Sequence, residues 1–238
     1  IGVSIYDAKS GEFQWKKGPI FCHVVLADEI NRTNPRTQSA LLEAMSERQV
    51  TCDGITRSLP SPFIVLATQN PFEFEGTYPL PESQLDRFLL KIQLGCPSIE
   101  EEKSLIKSQN RGHPIDKLSS VINDADVREL QRLTCEIHVE EAIVDYILTF
   151  VHKTREHEDI AVGVSPRGSL ALRRGAQALA FIRGRNYVTP DDIKALILPV
   201  CAHRIVLQRR WESSAGGDPW QRATSTLRMI LEEIPAPL

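Results

Sequence analysis

The sequence predicts an α/β fold, in which a parallel sheet with helices is followed by an all-α domain. Two short apolar runs, at residues 24–27 and 63–68, each end in polar side chains and are separated by a helical pattern. This order is typical of a crossover between parallel strands. After Cys96-Pro97-Ser98 the spacing of apolar residues is helical throughout. We therefore expect an α/β core at residues 1–94 and a helical domain at residues 95–238.

The composition narrows the class of protein. Of the 238 residues 42% are hydrophobic, which is enough to form cores, and neither predicted domain carries a net positive charge. A nucleic-acid partner is therefore not expected. The five cysteines are never spaced C-x-x-C, which argues against a zinc knuckle or a disulfide framework and favours a reducing, cytoplasmic compartment. No run approaches the ~18 apolar residues of a membrane span.

Residues 1–22 mix aromatic side chains with glycine and proline, which predicts a short hairpin or loop. The apolar run that follows, Val24-Val25-Leu26-Ala27, stops at two adjacent acids, Asp28 and Glu29. Four consecutive apolar residues predict a buried parallel strand that ends at a ligand-binding crevice. An acid so close to the sheet interior is stabilised by a metal ion or a reacting water, as in nucleotide hydrolysis. The alternative is that two acids simply end a strand and face solvent.

A helix and a hairpin are predicted between the two strands. Asn34 and Pro35 form an N-cap and first-turn pair, and the helix they begin is expected to end near Arg48. Asp53-Gly54 joins two short runs of β-forming residues, which is a strong signal for a two-residue hairpin turn.

The second strand, at residues 63–68, ends at Gln69 and Asn70. Because parallel strands joined by a crossover end at the same edge of the sheet, Asn70 is expected beside Asp28 and Glu29. Asn70 is therefore a candidate for orienting an attacking water. The alternative is a turn residue in front of Pro71.

A short helix at residues 81–88 is expected to lead into a third apolar strand, Phe88–Ile92. Arg87 lies at this junction, so its side chain is expected to leave the core at a rigid point. Such a position suits a residue that presents its charge to a neighbouring molecule. The alternative is a structural salt bridge to Asp86 or Glu82.

The remaining chain predicts helices at about residues 99–108, 124–133, 140–154, 169–183, 190–206 and 220–233. Two helix starts are clear: Thr189-Pro190 with Asp192 as a capping box, and Ser165-Pro166. Arg167 stands in the first turn of the second, where a cation opposes the helix dipole by about 0.3–1 kcal/mol. An anionic ligand beneath Arg167 would offset this cost; the alternative is a solvated arginine.

Together these segments resemble the AAA+ ATPases, and specifically the MoxR family. The resemblance spans most of the chain, and its order and spacing are more specific than any single motif. It is carried by Leu26-Ala27-Asp28-Glu29-Ile30-Asn31-Arg32, Thr37-Gln38-Ser39-Ala40-Leu41-Leu42-Glu43-Ala44-Met45, Ala67-Thr68-Gln69-Asn70-Pro71, Glu75-Gly76-Thr77-Tyr78-Pro79-Leu80-Pro81-Glu82, Gln84-Leu85-Asp86-Arg87-Phe88 and Ser165-Pro166-Arg167.

The resemblance implies ATP and Mg2+ as cofactors and a role for each candidate residue. Asp28 and Glu29 would be the Walker B pair, with Asp28 binding Mg2+ and Glu29, nearby, polarising the attacking water. Asn70 would be the sensor 1 residue. Arg87 would be the arginine finger that reaches the nucleotide of a neighbouring subunit, and Arg167 the sensor 2 arginine of the helical lid.

The resemblance also implies ATP hydrolysis by a ring, expected to be a hexamer, that remodels or matures a protein partner. That partner is expected to carry a von Willebrand factor A domain. Two alternatives stay open. A DNA-handling AAA+ ATPase is disfavoured because no half of the chain is net basic. A non-hydrolysing interaction module would be favoured if the parent protein lacks a phosphate-binding loop.

One departure from the family pattern matters. The phosphate-binding motif G-x-x-x-x-G-K-S/T does not occur, and the chain begins with Ile1 rather than Met. This pattern predicts a truncated P-loop-type core whose first part lies upstream. A fragment without that loop and its lysine is expected to be weakly active or inactive.

Overall fold

The computed structural model describes residues 2–70, 77–108, 114–208 and 218–237. Pro71, Glu75 and Gly76 of the motif series lie outside the described residues. Buried apolar side chains form two clusters, one drawn from residues 20–80 and the other from residues 137–234. The α/β part and the helical part expected from the sequence are therefore both present, while the boundary near residue 94 stays a prediction.

The first part contains strands, one helix and a single turn of helix. Their bounds are β1 (Gly2–Asp7), β2 (Glu12–Lys17), β3 (Val24–Ala27), α1 (Pro35–Glu47), β4 (Gln49–Cys52), β5 (Ile55–Ser58), β6 (Ile64–Ala67) and α2 (Glu82–Leu85). The hairpins β1–β2 and β4–β5 are antiparallel, and β3 pairs with β6 in parallel. Asp53 and Gly54 both have positive φ, 54° and 73°, as a tight hairpin turn requires.

Helix α1 begins and ends as its sequence predicts. The Asn34 side chain accepts a hydrogen bond from the Thr37 N–H at 2.9 Å, and Pro35 stands in the first turn. Gln38, which is buried on α1, donates to the carbonyl oxygens of Ile30 at 3.1 Å and Tyr78 at 2.9 Å. These two bonds hold α1 against the loop that follows β3 and the segment that precedes α2.

The parallel pair is buried on one face only. Val25 and Val65 pack against the first cluster, whereas Leu26 is 67% exposed and Leu66 is 51% exposed. The sequence predicted a β3 buried on both faces, and for one face that prediction is wrong. No element among the described residues packs over the exposed side, so side chains that alternate along the strand alternate in burial.

The predicted strand Phe88–Ile92 is not formed. The backbone of this segment instead bonds to the helical part: the Lys91 N–H donates to the Pro199 carbonyl oxygen at 2.8 Å. The carbonyl oxygens of Phe88 and Leu89 accept from Arg204. Because these groups are bonded to the helical part, the segment pairs with no strand of the described chain.

The second part contains the predicted helices and one unpredicted ribbon. Its elements are α3 (Ile99–Ser108), α4 (Asp124–Cys135), α5 (Glu141–Glu156), β7 (Ile160–Val162), α6 (Pro166–Ile182), α7 (Pro190–Cys201), β8 (Val206–Leu207) and α8 (Pro219–Glu232). Helix α7 ends at Cys201 and not near Val206, because Val206 and Leu207 pair antiparallel with β7. The domain is therefore mainly helical, with a two-stranded ribbon that its sequence pattern did not indicate.

A buried acid stabilises the start of α7. Asp192 accepts hydrogen bonds from Arg183 at 2.7 Å, from Arg185 at 2.6 and 2.8 Å, and from the Thr189 N–H at 2.9 Å. Thr189 and Asp192 form the predicted capping box. Within the ranges that the structure describes, no helix combines the length and apolarity needed to span a membrane.

Candidate functional site

Two parallel strands bring polar residues to one edge of the sheet. Ala27 of β3 lies opposite Ala67 of β6, so Asp28 and Thr68 are the first residues beyond the two strand ends. The Thr68 N–H donates to the Ala27 carbonyl oxygen at 3.0 Å, which extends the strand pairing by one bond. At the same edge the Asn31 side chain donates to the Asn70 carbonyl oxygen at 3.3 Å. The structure thus gathers the predicted residues Asp28, Glu29 and Asn70 at one site.

The Thr68 hydroxyl connects the two acids. It accepts a hydrogen bond from the Glu29 N–H at 2.8 Å and donates one to the Asp28 carboxylate. One side chain therefore fixes both the orientation of the Asp28 carboxylate and the backbone position of Glu29.

Glu29 has an unusual backbone. Its φ of 49° and ψ of 51° lie in the left-handed region, which costs an L-residue about 1–2 kcal/mol. The bond from its N–H to Thr68 and the following turn, Ile30–Arg32, hold this conformation. The Glu29 carboxylate lies 3.2 Å from the Arg32 Nε, at the protein surface. Backbone strain of this kind clusters at functional sites, where it aims a side chain.

The Asp28 carboxylate is a chemically suitable ligand for Mg2+. Asp28 is exposed, so the expectation of an acid close to the sheet interior is wrong, and its carboxylate needs no metal ion or water to stabilise it. No group of three or more acidic, histidine or cysteine side chains in the described part of the chain is arranged to hold a metal ion alone. Mg2+ does not need such a cage, because it is usually held by one or two carboxylates together with phosphate oxygens and water.

Arg87 lies apart from these acids, at the end of α2. Its side chain is exposed and donates a hydrogen bond to the Ser46 hydroxyl on α1. It forms no salt bridge to Asp86 or Glu82 among the described contacts. Asp86 instead accepts a hydrogen bond from the Ser165 hydroxyl, which lies 2.9 and 3.1 Å from its two carboxylate oxygens. The charge of Arg87 therefore remains available at the surface.

Arg167 stands at the second position of α6, behind the N-cap residue Ser165. Its Nη1 lies 3.8 Å from an Asp86 carboxylate oxygen, and half of its side chain is exposed. A nearby anion explains a cation in the first turn of a helix, and here that anion is Asp86. The position of Arg167 therefore needs no bound ligand to account for it.

The predicted site residues form two groups in the described structure. Asp28, Glu29 and Asn70 share the sheet edge, whereas Arg87 and Arg167 flank Asp86 between the two parts of the chain. Among the described contacts, neither arginine makes a hydrogen bond or an ion pair to Asp28 or Glu29.

Both parts of the chain match known protein families. The model of the ATPase family associated with various cellular activities (AAA) matches residues 1–90, and that of the AAA lid domain matches residues 152–223. The uncharacterized protein YeaC of Bacillus subtilis is 53% identical over 206 residues, which are 87% of this chain and 64% of YeaC. The chaperone MoxR1 of Mycobacterium tuberculosis is 44% identical over 216 residues, which are 87% of this chain and 57% of MoxR1.

The crystal structure of a candidate ATPase from Cytophaga hutchinsonii superposes with a TM-score of 0.89 at 37% identity. The match covers 100% of this chain and 73% of that one. This chain belongs to the MoxR family of AAA+ ATPases. It spans 64% and 57% of the lengths of YeaC and MoxR1, so each of these relatives contains sequence that it does not match.

Some residues at the MoxR-family site were not singled out by sequence reasoning. Thr68 belongs to the motif Ala67-Thr68-Gln69-Asn70-Pro71, but the sequence assigns it no role, although a hydroxyl directly after an apolar run, in register with an acid, is a usable signal. Asp86 belongs to the motif around Arg87, and the only role that the sequence suggests for it is a salt bridge to that arginine. Arg204, which bonds to Asp86 at 3.1 Å, is 118 positions away in sequence and carries no motif that would have linked the two.

Proposed function

We propose that the complete protein hydrolyses ATP in a ring of subunits, expected to be a hexamer, and uses the energy to remodel or mature a protein partner. The observation that carries this proposal is the sheet edge where Asp28, Glu29 and Asn70 meet, in a chain of the MoxR family. AAA+ proteins typically form rings, and the relative MoxR1 is named a chaperone.

Each residue of the edge has a proposed task. Mg2+ bound with ATP would supply charge neutralisation at the transferred phosphate. Asp28 would hold that ion through its exposed carboxylate. Glu29 would polarise the attacking water, and Asn70 would orient it. The Thr68 hydroxyl supports these assignments, because it fixes Asp28 and Glu29 together.

The two arginines would act on phosphate charge. Arg87 would be the arginine finger for a neighbouring subunit, and this is supported by its exposed side chain and by the absence of a carboxylate partner among the described contacts. Arg167 would be the sensor 2 residue, contacting the nucleotide from the first turn of α6. Its half-exposed side chain is 3.8 Å from Asp86, a weak pairing that phosphate oxygens can replace.

The partner and the compartment are also proposals. We propose a partner that carries a von Willebrand factor A domain, as the family resemblance implies, and a cytoplasmic location, as the spacing of the five cysteines favours. A DNA-handling ATPase is not favoured by the named relatives. A non-hydrolysing interaction module is the alternative that experiment can decide.

The test uses the complete protein. Wild type is expected to show Mg2+-dependent ATPase activity, and Glu29→Gln should retain nucleotide but lose about 10²–10⁴ in rate. Arg87→Ala should lose about 10³–10⁵ while folding and ATP binding stay intact. Mixing the two variants should restore some activity, because some interfaces then combine an intact finger with an intact acid pair.

Three outcomes would contradict the proposal. An inactive wild type would favour the interaction module. Normal hydrolysis by Glu29→Gln would exclude Glu29 as the base. If every mixture stayed inactive although the subunits assembled together, Arg87 would not act between subunits. Residues 1–238 alone, which contain no G-x-x-x-x-G-K-S/T motif, are expected to turn over ATP only slightly.

A further inference from the structure

A buried arginine of the helical part of the chain, α3–α8, which we call the lid, binds the segment that carries Arg87. Arg204 follows α7, and its side chain is only 1% exposed. Its Nε donates to the Asp86 carboxylate at 3.1 Å. Its two terminal nitrogens donate to the backbone carbonyl oxygens of Asp86 at 3.3 Å, Leu89 at 3.1 Å and Phe88. All of these acceptors lie within two residues of Arg87.

The contacts fix the backbone on both sides of Arg87 and leave its side chain free to point outward. Asp86 and Phe88, its two neighbours in sequence, each give Arg204 a carbonyl oxygen. The Arg87 guanidinium itself reaches Ser46 at the surface. Arginine suits this task because its planar guanidinium carries five donors in a rigid fork, and lysine has only three on a flexible stem.

The same carboxylate connects Arg87 to the first turn of α6. Asp86 accepts from the Ser165 hydroxyl at 2.9 and 3.1 Å and lies 3.8 Å from Arg167. Asp86 therefore has three partners on the lid: Ser165, Arg167 and Arg204. The N-cap residue of α6 is therefore bonded directly to Asp86.

The absence of a side chain at Gly168 leaves room for the Arg204 side chain. Gly168, in the first turn of α6, lies against the aliphatic part of Arg204. A Cβ at this position would stand 3.1 Å from the Arg204 Cδ and 2.4 Å from the Val164 Cγ1. A larger residue would therefore displace Val164 or Arg204.

We propose that Arg204 is a positioning residue for Arg87. Through Asp86 and the adjoining carbonyl groups, Arg204 sets the orientation of Arg87 relative to α6. The first turn of α6, which would contact the nucleotide, thereby determines whether Arg87 reaches the neighbouring subunit. This inference rests on the function proposed above and adds to it the residue that couples sensor 2 to the finger.

The first experiment is kinetic and uses the complete protein. Arg204→Met should lower kcat by about 10²-fold, the usual loss for a misplacement of roughly 1 Å, and should leave the KM for ATP nearly unchanged. Arg204→Lys should recover part of the loss. Mixing Arg204→Met with Glu29→Gln subunits should restore activity, because the second variant supplies a correctly held finger to an intact acid pair.

Arg185→Met is the matched control. Arg185 also pairs with a buried acid, Asp192, but that pair lies wholly within the lid. Its loss should lower thermal stability and leave kcat unchanged. If Arg204→Met does not fold, Asp86→Asn replaces it, since this change weakens the ion pair but keeps the shape of the side chain.

A second measurement is independent of ATPase activity. Hydrogen exchange of the peptide spanning residues 86–91 should accelerate in Arg204→Met or Asp86→Asn and not in Arg185→Met. Unchanged exchange in Arg204→Met and Asp86→Asn would overturn the inference, whether or not wild type hydrolyses ATP. An inactive wild type with accelerated exchange in these variants would refute only the proposed function. With wild type active and Arg87→Ala impaired, a wild-type kcat in Arg204→Met would overturn the inference. A loss of ATP binding in Arg204→Met that no mixture of variants rescues would also overturn the inference.

Discussion

Thr68 and Asp28 are joined by a hydrogen bond across the ends of two parallel strands, with the hydroxyl of Thr68 donating to the carboxylate of Asp28. The same hydroxyl accepts from the Glu29 N–H at 2.8 Å. The geometry of both acids therefore depends on a side chain that is neither a metal ligand nor a base in the proposed reaction.

Replacing Thr68 tests this dependence. Thr68→Val in the complete protein removes the hydroxyl at nearly constant volume and should lower ATPase activity by about 10–100-fold, as the loss of a residue that orients a metal ligand usually does. Thr68→Ser keeps the hydroxyl and should remain close to wild type. Steady-state ATPase rates at saturating Mg2+ and ATP measure the effect. Equal activity of the valine and serine variants would show that the hydroxyl does not orient the acids.

The left-handed conformation of Glu29 predicts a difference in stability between two variants that lack its carboxylate. Glu29→Ala and Glu29→Gly both remove the carboxylate, but only glycine adopts a φ of 49° without steric cost. The glycine variant should therefore be more stable, by about 0.5–1 kcal/mol after its greater unfolded-state entropy is subtracted. Urea unfolding of the two proteins measures the difference. An alanine variant of equal or greater stability would mean that the backbone of Glu29 is not strained.

Local signals in the sequence predicted local structure well. Asp53-Gly54 specified its hairpin turn, and Thr189 with Asp192 specified the start of α7, because each pattern acts over a few residues. The parallel pair and its polar edge also followed from the order of apolar runs. Features that depend on distant contacts were predicted poorly. Phe88–Ile92 is as apolar as a strand, yet its backbone bonds to the helical part, and no short pattern connects it to Arg204.

The buried pairing of Asp192 predicts a large contribution to the stability of the lid. Its side chain is fully buried and paired with Arg183 and Arg185, so Asp192→Asn would leave both arginines without their carboxylate. The expected loss is about 3 kcal/mol, at the lower end for a buried pair because both arginines are partly exposed. Asp191→Asn is the matched control: Asp191 is 81% exposed and its pair with Lys194 should contribute about 0–1 kcal/mol. Unfolding curves that shift equally for the two variants would contradict the prediction.

The lowered pKa of the buried His203 predicts a loss of stability in mild acid. It is buried, with Phe88 O at 3.3 Å, and burial together with the charge of Arg204 lowers the pKa of His203 from 6.5 to about 4. Lys91 lowers this pKa further and Asp86 raises it. Between these two values the unfolded chain binds a proton that the folded chain does not. The contribution of His203 to the free energy of unfolding therefore falls as the pH falls from about 6.5 to about 4.

The expected size is about 2 kcal/mol between pH 7 and pH 5, since each pH unit within this window contributes up to about 1.4 kcal/mol. His203→Gln removes the titrating group, so its stability should change less over this interval than that of wild type. His138→Gln, at an exposed position, is the control for the substitution itself. Urea unfolding of the three proteins at pH 7 and pH 5 measures the slopes. If His203→Gln keeps the wild-type slope, His203 is not protonated on unfolding in this range, and the loss of stability must come from other groups.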